Sequence, residues 1–312
     1  MQSGCFMAYI WPIGGGKGGS GKSFLTCTLG LLLAGLGKRT LIIDLDLGAA
    51  NLHTFLNVPY PTKSLSDFIR KKNTPLESIV LETPVPDLFL ISGANDTLDV
   101  ANLPYEQKIK TMRAIAKLNF DCILLDLGAG TSFNTLDFFL ISQNGIFIAT
   151  PEPTSVENVY RLIRAIYFRR IRQYFTVADF KVLEDATVRY FGDGAYAKPE
   201  YIMQTVKKNY PETGLKLEND FAAYKFKLII NQLHKQDDAG LGPQICRLVD
   251  KHLGIKIVFS GNIAYDEHVH DAICQRVSFI DRYPYTRTAG DLRELGKQII
   301  YSTGDQMMIN YS

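Results

Sequence analysis

Two lysines, a serine and three aspartates in this chain stand where they could handle a phosphate chain and a divalent metal. Lys17, Lys22 and Ser23 belong to the run Gly14-Gly-Gly-Lys17-Gly-Gly-Ser-Gly21-Lys22-Ser23. An apolar run precedes it and a helical pattern follows it, the setting a phosphate-binding loop needs. Gly16, Gly18, Gly19 and Gly21 let the backbone wrap tightly, so that successive N–H groups face phosphate oxygens. A helix starting near Lys22 adds the positive end of its dipole. Lys22 can reach the β and γ phosphates, and the Ser23 hydroxyl can ligate Mg²⁺. Asp44 and Asp46 end the next apolar strand, and Asp126 ends another, Cys122-Ile-Leu-Leu-Asp126. Phosphoryl transfer asks mainly for positioning and charge neutralisation, so a carboxylate, a metal and two lysines make a minimal set.

The elements that must hold these groups alternate. Short apolar strands are expected at about Phe6–Ile13, Thr40–Asp44, Leu88–Ser92, Asp121–Leu127, Gly145–Thr150, Lys227–Asn231 and Ile255–Ser260. Strands apolar throughout are buried on both faces, as in a parallel sheet covered by helices. Between them lie helical stretches. The first runs from Lys22 to about Leu36, with Leu25, Leu29, Leu32 and Leu36 on one stripe and Gly37 as its stop. The pattern predicts a doubly wound α/β fold with a mostly parallel sheet. The interval from Thr150 to Lys227 is too long for one crossover helix. Thr154–Arg170 makes a first helix, and patterning around Val182–Tyr190 and Tyr201–Lys208 predicts a helical insertion at about 170–222 within a single domain spanning 1–312. From Arg161 to Pro211 the chain has ten Lys/Arg against five Asp/Glu, read either as a solvated surface or as a contact with a partner, nucleic acid or membrane.

A formal charge of +2 gives no strong pull toward nucleic acid or anionic membrane. The five cysteines are scattered, unpaired in sequence and set mostly in apolar runs, which predicts buried small hydrophobes and a reducing compartment. The five histidines form no metal-ligand spacing. The apolar run at Cys5–Ile13 is too short to span a bilayer. The expected location is the cytoplasm.

The pattern Lys17-Gly-Gly-Ser-Gly-Lys22-Ser23 resembles the deviant Walker A motif of the MinD/ParA/Mrp class of P-loop NTPases (the SIMIBI class). That resemblance implies Mg-ATP bound by Gly16 through Phe24, including Ser20. It also implies that Lys17 reaches across an ATP-bridged homodimer to the partner's nucleotide. Asp44-Leu-Asp46 followed by Asn51 looks like the class's switch I. It implies that Asp46 orients or activates the attacking water, that Asp44 stands near the Mg²⁺ shell, and that Asn51 contacts the nucleotide. Asp126-Leu-Gly128-Ala-Gly130 matches Walker B merged with switch II. Asp126 would hold Mg²⁺ through water, and the Gly128 N–H would sense the γ-phosphate. By the same resemblance Asn231 contacts adenine, Glu152 touches the partner's nucleotide, and Gly261–Asp266 with Arg276 and Phe279 surrounds the base.

Asp46-Leu-Gly-Ala-Ala-Asn51-Leu-His53, followed by Leu65-Ser-Asp67-Phe68, is most similar to the FlhG-like branch of MinD ATPases. This implies slow ATP hydrolysis to ADP by a dimerising switch that positions, or controls the number of, a cellular structure such as a flagellum or division site. Because the sequence opens on its first strand, it is expected to lack the N-terminal segment by which FlhG proteins activate a GTPase. A protein partner is implied. The apolar stripe Leu292, Leu295, Ile299, Ile300 is read as a packed last helix, with a membrane-targeting helix, peripheral at the inner membrane, as the alternative. The alternatives in function are a ParA-type DNA-associated partitioning ATPase and a nucleotide-binding scaffold with little hydrolysis. A shared Fe–S cluster would need suitably placed cysteines, and a tyrosine-kinase tail would need more tyrosines than Tyr301 and Tyr311.

Overall fold

A computed structural model describes residues 8–71, 74–93 and 103–301. In chain order the elements are β1 (Tyr9–Gly14), α1 (Lys22–Gly35), β2 (Thr40–Leu45), α2 (Leu52–Phe55), α3 (Leu65–Arg70), β3 (Leu81–Glu82) and β4 (Leu88–Ile91). Then come α4 (Tyr105–Ile115), β5 (Cys122–Leu127), α5 (Phe133–Phe139), β6 (Ile146–Ala149) and α6 (Pro153–Arg172). A helical stretch continues with α7 (Val177–Phe191), α8 (Pro199–Asn209) and α9 (Pro211–Ala223). The last elements are β7 (Lys227–Leu233), α10 (Leu241–Leu253), β8 (Val258–Ala264), α11 (His268–Gln275), α12 (Phe279–Arg282) and α13 (Arg287–Tyr301).

The strands form one sheet in the order β3-β4-β2-β5-β1-β6-β7-β8. Every pairing is parallel except β3 with β4. This is the mostly parallel doubly wound sheet that the apolar runs predict. Alternation divides the strands between two cores. In β2, Leu41 and Ile43 join the core shared with α6 and α10, while Ile42 faces the core shared with α1 and α13. Because the strands run parallel, the loops after β1, β2, β5 and β7 gather at one edge of the sheet, where such folds bind ligands.

Some details differ from the sequence reading. In α1 the buried leucines are Leu25, Leu29 and Leu33, while Leu36 caps the helix and is exposed. The helix is sandwiched between the sheet and α13, so its buried side is wider than one stripe. Strand β8 starts three residues later than expected. Ile255 and Ile257 are core residues of the preceding loop, so the apolar run comes before the pairing. Helix α9 was hidden by its composition, opening on Pro211 and holding Gly214. Cys27 and Cys122 are buried as expected, whereas Cys246 is half-buried and Cys274 exposed; Cys5 lies outside the described residues.

Helices α7–α9 do not stand off from the core. Leu183, Ile202, Val206, Leu217 and Phe221 are buried in the same cluster as Leu228 and Ile230 of β7. The cations of α6–α9 are largely engaged. Arg161, Arg169, Arg170, Lys181 and Lys207 each pair with a carboxylate. Lys198 and Lys208 lie over the rings of Tyr201 and Tyr190. Half of the ten cations read from Arg161–Pro211 are thus paired with a carboxylate. In α13, Leu292, Leu295 and Ile299 are buried against the core that holds α1, so this stripe is used in packing; residues 302–312 lie outside the described part. No helix among the described residues is long and apolar enough to cross a membrane.

Candidate functional site

The loop between β1 and α1 turns at Gly19 (φ 78°) and Gly21 (φ 85°), a region a side chain disfavours. Gly21 is the N-cap of α1, and no side chain caps that end. The free amides of the first helical turn, with the helix dipole, make an anion site. Lys22 enters at this point and is buried. Burial lowers its pKa, and the negative charges of Asp126 and Asp46 oppose that shift. Its ammonium lies 3.5 Å from the Lys17 carbonyl, a long contact.

The strand ends bring the carboxylates together. The β2–β5 register sets Asp44 directly beside Asp126, and both are buried. Asp126 accepts hydrogen bonds from Ser23 Oγ at 2.7 Å and Thr26 Oγ1 at 3.1 Å. Asp44 accepts from the backbone N–H groups of Asp46 and Leu52, both at 3.2 Å, and so ties the loop after β2 to the strand end. Burial, reinforced by Asp126, pushes the Asp44 carboxyl up to about 8. Burial likewise lifts Asp126 to about 6, although bonds from Ser23 and the charge of Lys22 resist it. Burial raises the pKa of both neighbouring carboxyls, so the pair is short of compensating positive charge. With the Ser23 hydroxyl they form the oxygen donor set that suits a hard divalent cation.

This has a consequence for stability. Both folded-state pKa values exceed the usual value for aspartate. The pair's contribution to stability is then fully present below about pH 4 and is lost as pH rises toward about 8. Asp44→Asn removes the group responsible for most of that loss. Without metal and nucleotide, the variant should melt several degrees above the parent at pH 8 and within a degree or two at pH 5, by differential scanning calorimetry. A difference that does not depend on pH would contradict this.

A cavity of about 550 Å³ opens over the loop. Gly18, Gly19, Gly21, Lys22, Ser23 and Phe24 form its floor, and Asp46, Asn51 and Asn231 stand on its walls. The far wall consists of Tyr265, Asp266, Glu267, Val269, His270 and Ile273. Phe55, Gln232 and Thr288 also line it. The base-side expectation is thus partly corrected. Ala264, Tyr265 and Asp266 line the cavity, but Gly261–Ile263 lie within β8 and do not. Phe279 is buried edge-on against Phe24 at 5.9 Å, within the core, and Arg276 is the C-cap of α11. The walls from α11 were not foreseen, because a helix of eight residues is too short for its Val269, Ala272, Ile273 spacing to stand out in sequence.

Apart from the strand-end pair Asp44 and Asp126 and the base-side residues above, five expected site residues do not line this cavity. Gly16 backs onto α6, where a Cβ would come within 2.2 Å of the Asn158 backbone. The Ser20 side chain is buried behind the loop. Gly128 faces Asp46, whose Oδ1 would lie 3.2 Å from a Cβ placed there, beside a smaller cavity shared by the loops after β2 and β5. Lys17 and Glu152 point away together. Lys17 Nζ and a Glu152 carboxylate oxygen are 2.5 Å apart, and both side chains are substantially exposed. Such a surface pair is weak and easily exchanged. Asn231 does line the cavity, but its Nδ2 donates to the Ser20 carbonyl, so its amide nitrogen is committed to the loop.

Residues 12–279 match the family model described as the CobQ/CobB/MinD/ParA nucleotide binding domain. Antiactivator FleN of Pseudomonas aeruginosa is 22% identical over 293 residues, covering 93% of this chain and 85% of that protein. The septum site-determining protein MinD of Synechocystis is 30% identical over 159 residues, covering 50% of this chain and 59% of that protein. Among solved structures, MinD of Pyrococcus horikoshii complexed with Mg-ADP superposes with a TM-score of 0.66 at 18% identity, covering 97% of this chain and 100% of that one. These matches bear out the likeness to MinD ATPases and their FlhG-like branch anticipated from the loop and switch residues. With a phosphate loop, paired strand-end carboxylates and a family match across most of its length, the chain belongs to the CobQ/CobB/MinD/ParA nucleotide-binding family.

Proposed function

We propose that this chain binds Mg-ATP, hydrolyses it slowly, and uses the bound nucleotide to join two copies of itself in a switch that positions a cellular structure. The observation that carries the dimer reading is the placement of Lys17. It is the residue that distinguishes this phosphate loop, yet it stands outside its own chain's nucleotide cavity, with its side chain substantially exposed and, among the described residues, paired with Glu152. A cation so placed is free to exchange its partner for the phosphates of a facing subunit.

Within one chain, the loop amides and Lys22 would hold the β and γ phosphates. Ser23 and Asp126 would hold Mg²⁺, with Asp44 behind them. The bound metal ion supplies charge neutralisation at the phosphates. Asp46, at the cavity wall, would orient the attacking water and accept its proton. Asn51 and the wall from α11 would flank the nucleoside, and Gly128 would respond to the γ-phosphate beside Asp46. Glu152 would reach the partner's nucleotide once Lys17 has left it. Helices α7–α9 read as an insertion on a single domain.

The relatives support the positioning role. MinD is described as septum site-determining and FleN as an antiactivator, and a MinD of Aquifex aeolicus has been solved as a MinC:MinD complex. By analogy the partners are a second copy and a separate protein, in the cytoplasm with peripheral contact at the inner membrane. The internal pairing of the cations on α6–α9 speaks against the DNA-partitioning alternative, and the complete set of lysines and carboxylates against a scaffold without hydrolysis.

Lys17→Ala tests the reading. Mg-ADP affinity by calorimetry should stay within about threefold of the parent, because the residue is outside the cavity. ATP turnover by phosphate release should fall at least tenfold, because it acts across the dimer. Unchanged turnover would remove the cross-subunit role.

A further inference from the structure

Strand β7 departs from regular geometry where it meets the phosphate loop. Successive strand residues point to opposite faces, so Asn231 and Gln232 would ordinarily diverge. Gln232 instead has a φ of 59°, a left-handed conformation that residues with side chains seldom adopt. The β7–β8 register also slips between Ile230 and Leu233. Both side chains consequently turn to the same loop. Asn231 Nδ2 donates to the Ser20 carbonyl at 2.9 Å, and Gln232 Nε2 donates to the Gly19 carbonyl at 3.1 Å. The fit is close: a Cβ on Gly21 would lie 2.2 Å from Asn231 Nδ2.

In a trans peptide the carbonyl and the following N–H point to opposite sides. Fixing the carbonyls of Gly19 and Ser20 toward β7 therefore turns the amides of Ser20 and Gly21 away from it. A glycine-rich loop would otherwise sample many arrangements and lose that freedom on binding. Strained backbone retained beside a ligand site is a mark of such pre-organisation.

We propose that Asn231 and Gln232 form a brace that sets the loop amides in advance for a diphosphate, and that Gln232 is a positioning residue for the β-phosphate. The proposal rests on the phosphate-loop reading above. Gln232 acts through the loop backbone, so its contribution appears with ligands that carry a β-phosphate and vanishes with those that do not.

The test is calorimetric titration of Mg-ADP and of AMP into the full chain and its Gln232→Met and Gln232→Ala variants. Methionine keeps the length of the side chain and removes the donor. Both variants should weaken Mg-ADP about tenfold, roughly one lost hydrogen bond to a site of this kind. AMP affinity should stay within about twofold, and the melting temperature without nucleotide within about 2 °C. An unchanged ratio of ADP to AMP affinity in either folded variant would overturn the brace. Equal weakening of both nucleotides would also overturn it, since it would make Gln232 a contact to the nucleoside. A parent chain that binds AMP but no Mg-ADP would instead sink the phosphate-loop reading, and the brace with it.

Discussion

Lys22→Ala should abolish Mg-ADP binding, weakening it at least a hundredfold in calorimetry. Lys22 is buried at the mouth of α1, surrounded by glycine amides and facing Asp126 and Asp46. Its ammonium is the one side-chain cation on the cavity floor among the described residues. A charge-assisted contact to phosphate in such a water-poor site is worth far more than the same contact at the surface. Removing it loses that attraction. It also leaves Asp126 and Asp46 facing the phosphates without compensation, a repulsion of like charges. Removal of one well-placed donor from a charge-stabilising site typically costs ~10²–10³, and here two effects act in the same direction. Unchanged affinity in a folded variant would refute the assignment of this loop.

Asp46→Ala should separate binding from chemistry. The residue stands at the cavity wall and beside Gly128, and it is not buried with the Asp44–Asp126 pair. Its loss should leave Mg-ADP affinity within about threefold. A positioned base typically contributes ~10²–10⁴ in rate, so single-turnover phosphate release should fall by at least a hundredfold. Asp44 and Asp126 do not substitute for it. Asp126 is occupied by Ser23 and Thr26, and Asp44 by the backbone of Asp46 and Leu52. Retained turnover would move the base elsewhere.

The chemistry of this site is legible in sequence where local rules dictate it. A loop of glycines with two lysines between an apolar strand and a helix has few alternatives. Buried strands that end in aspartate stand out because charge seldom follows four apolar residues without a use. The parallel sheet follows from the same runs. What the sequence conceals depends on tertiary approach. Lys17 and Glu152 lie 135 positions apart, and only the packing of α6 beside the loop joins them. Gln232 looks like an ordinary polar strand residue until its backbone turns left-handed. The α11 wall, with Val269, His270 and Ile273, belongs to a helix of eight residues, too short for its apolar spacing to announce which face meets the cavity. Phe279 had the right neighbourhood and the wrong side, because facing Phe24 from below or from within the cavity reads identically in one dimension. The Ile255–Ser260 strand was misplaced for a related reason: apolar residues can fill a core from a loop as well as from a strand.

The ATP-bridged dimer is the central claim, and the molar mass of Asp46→Ala tests it most directly. Slow hydrolysis in this variant keeps the triphosphate intact, so a nucleotide-held pair should persist through size-exclusion chromatography with light scattering. The expected result is a doubling of the mass with Mg-ATP and the single-chain mass with Mg-ADP. The single-chain mass in both nucleotides, with ATP shown to be bound, would contradict the claim.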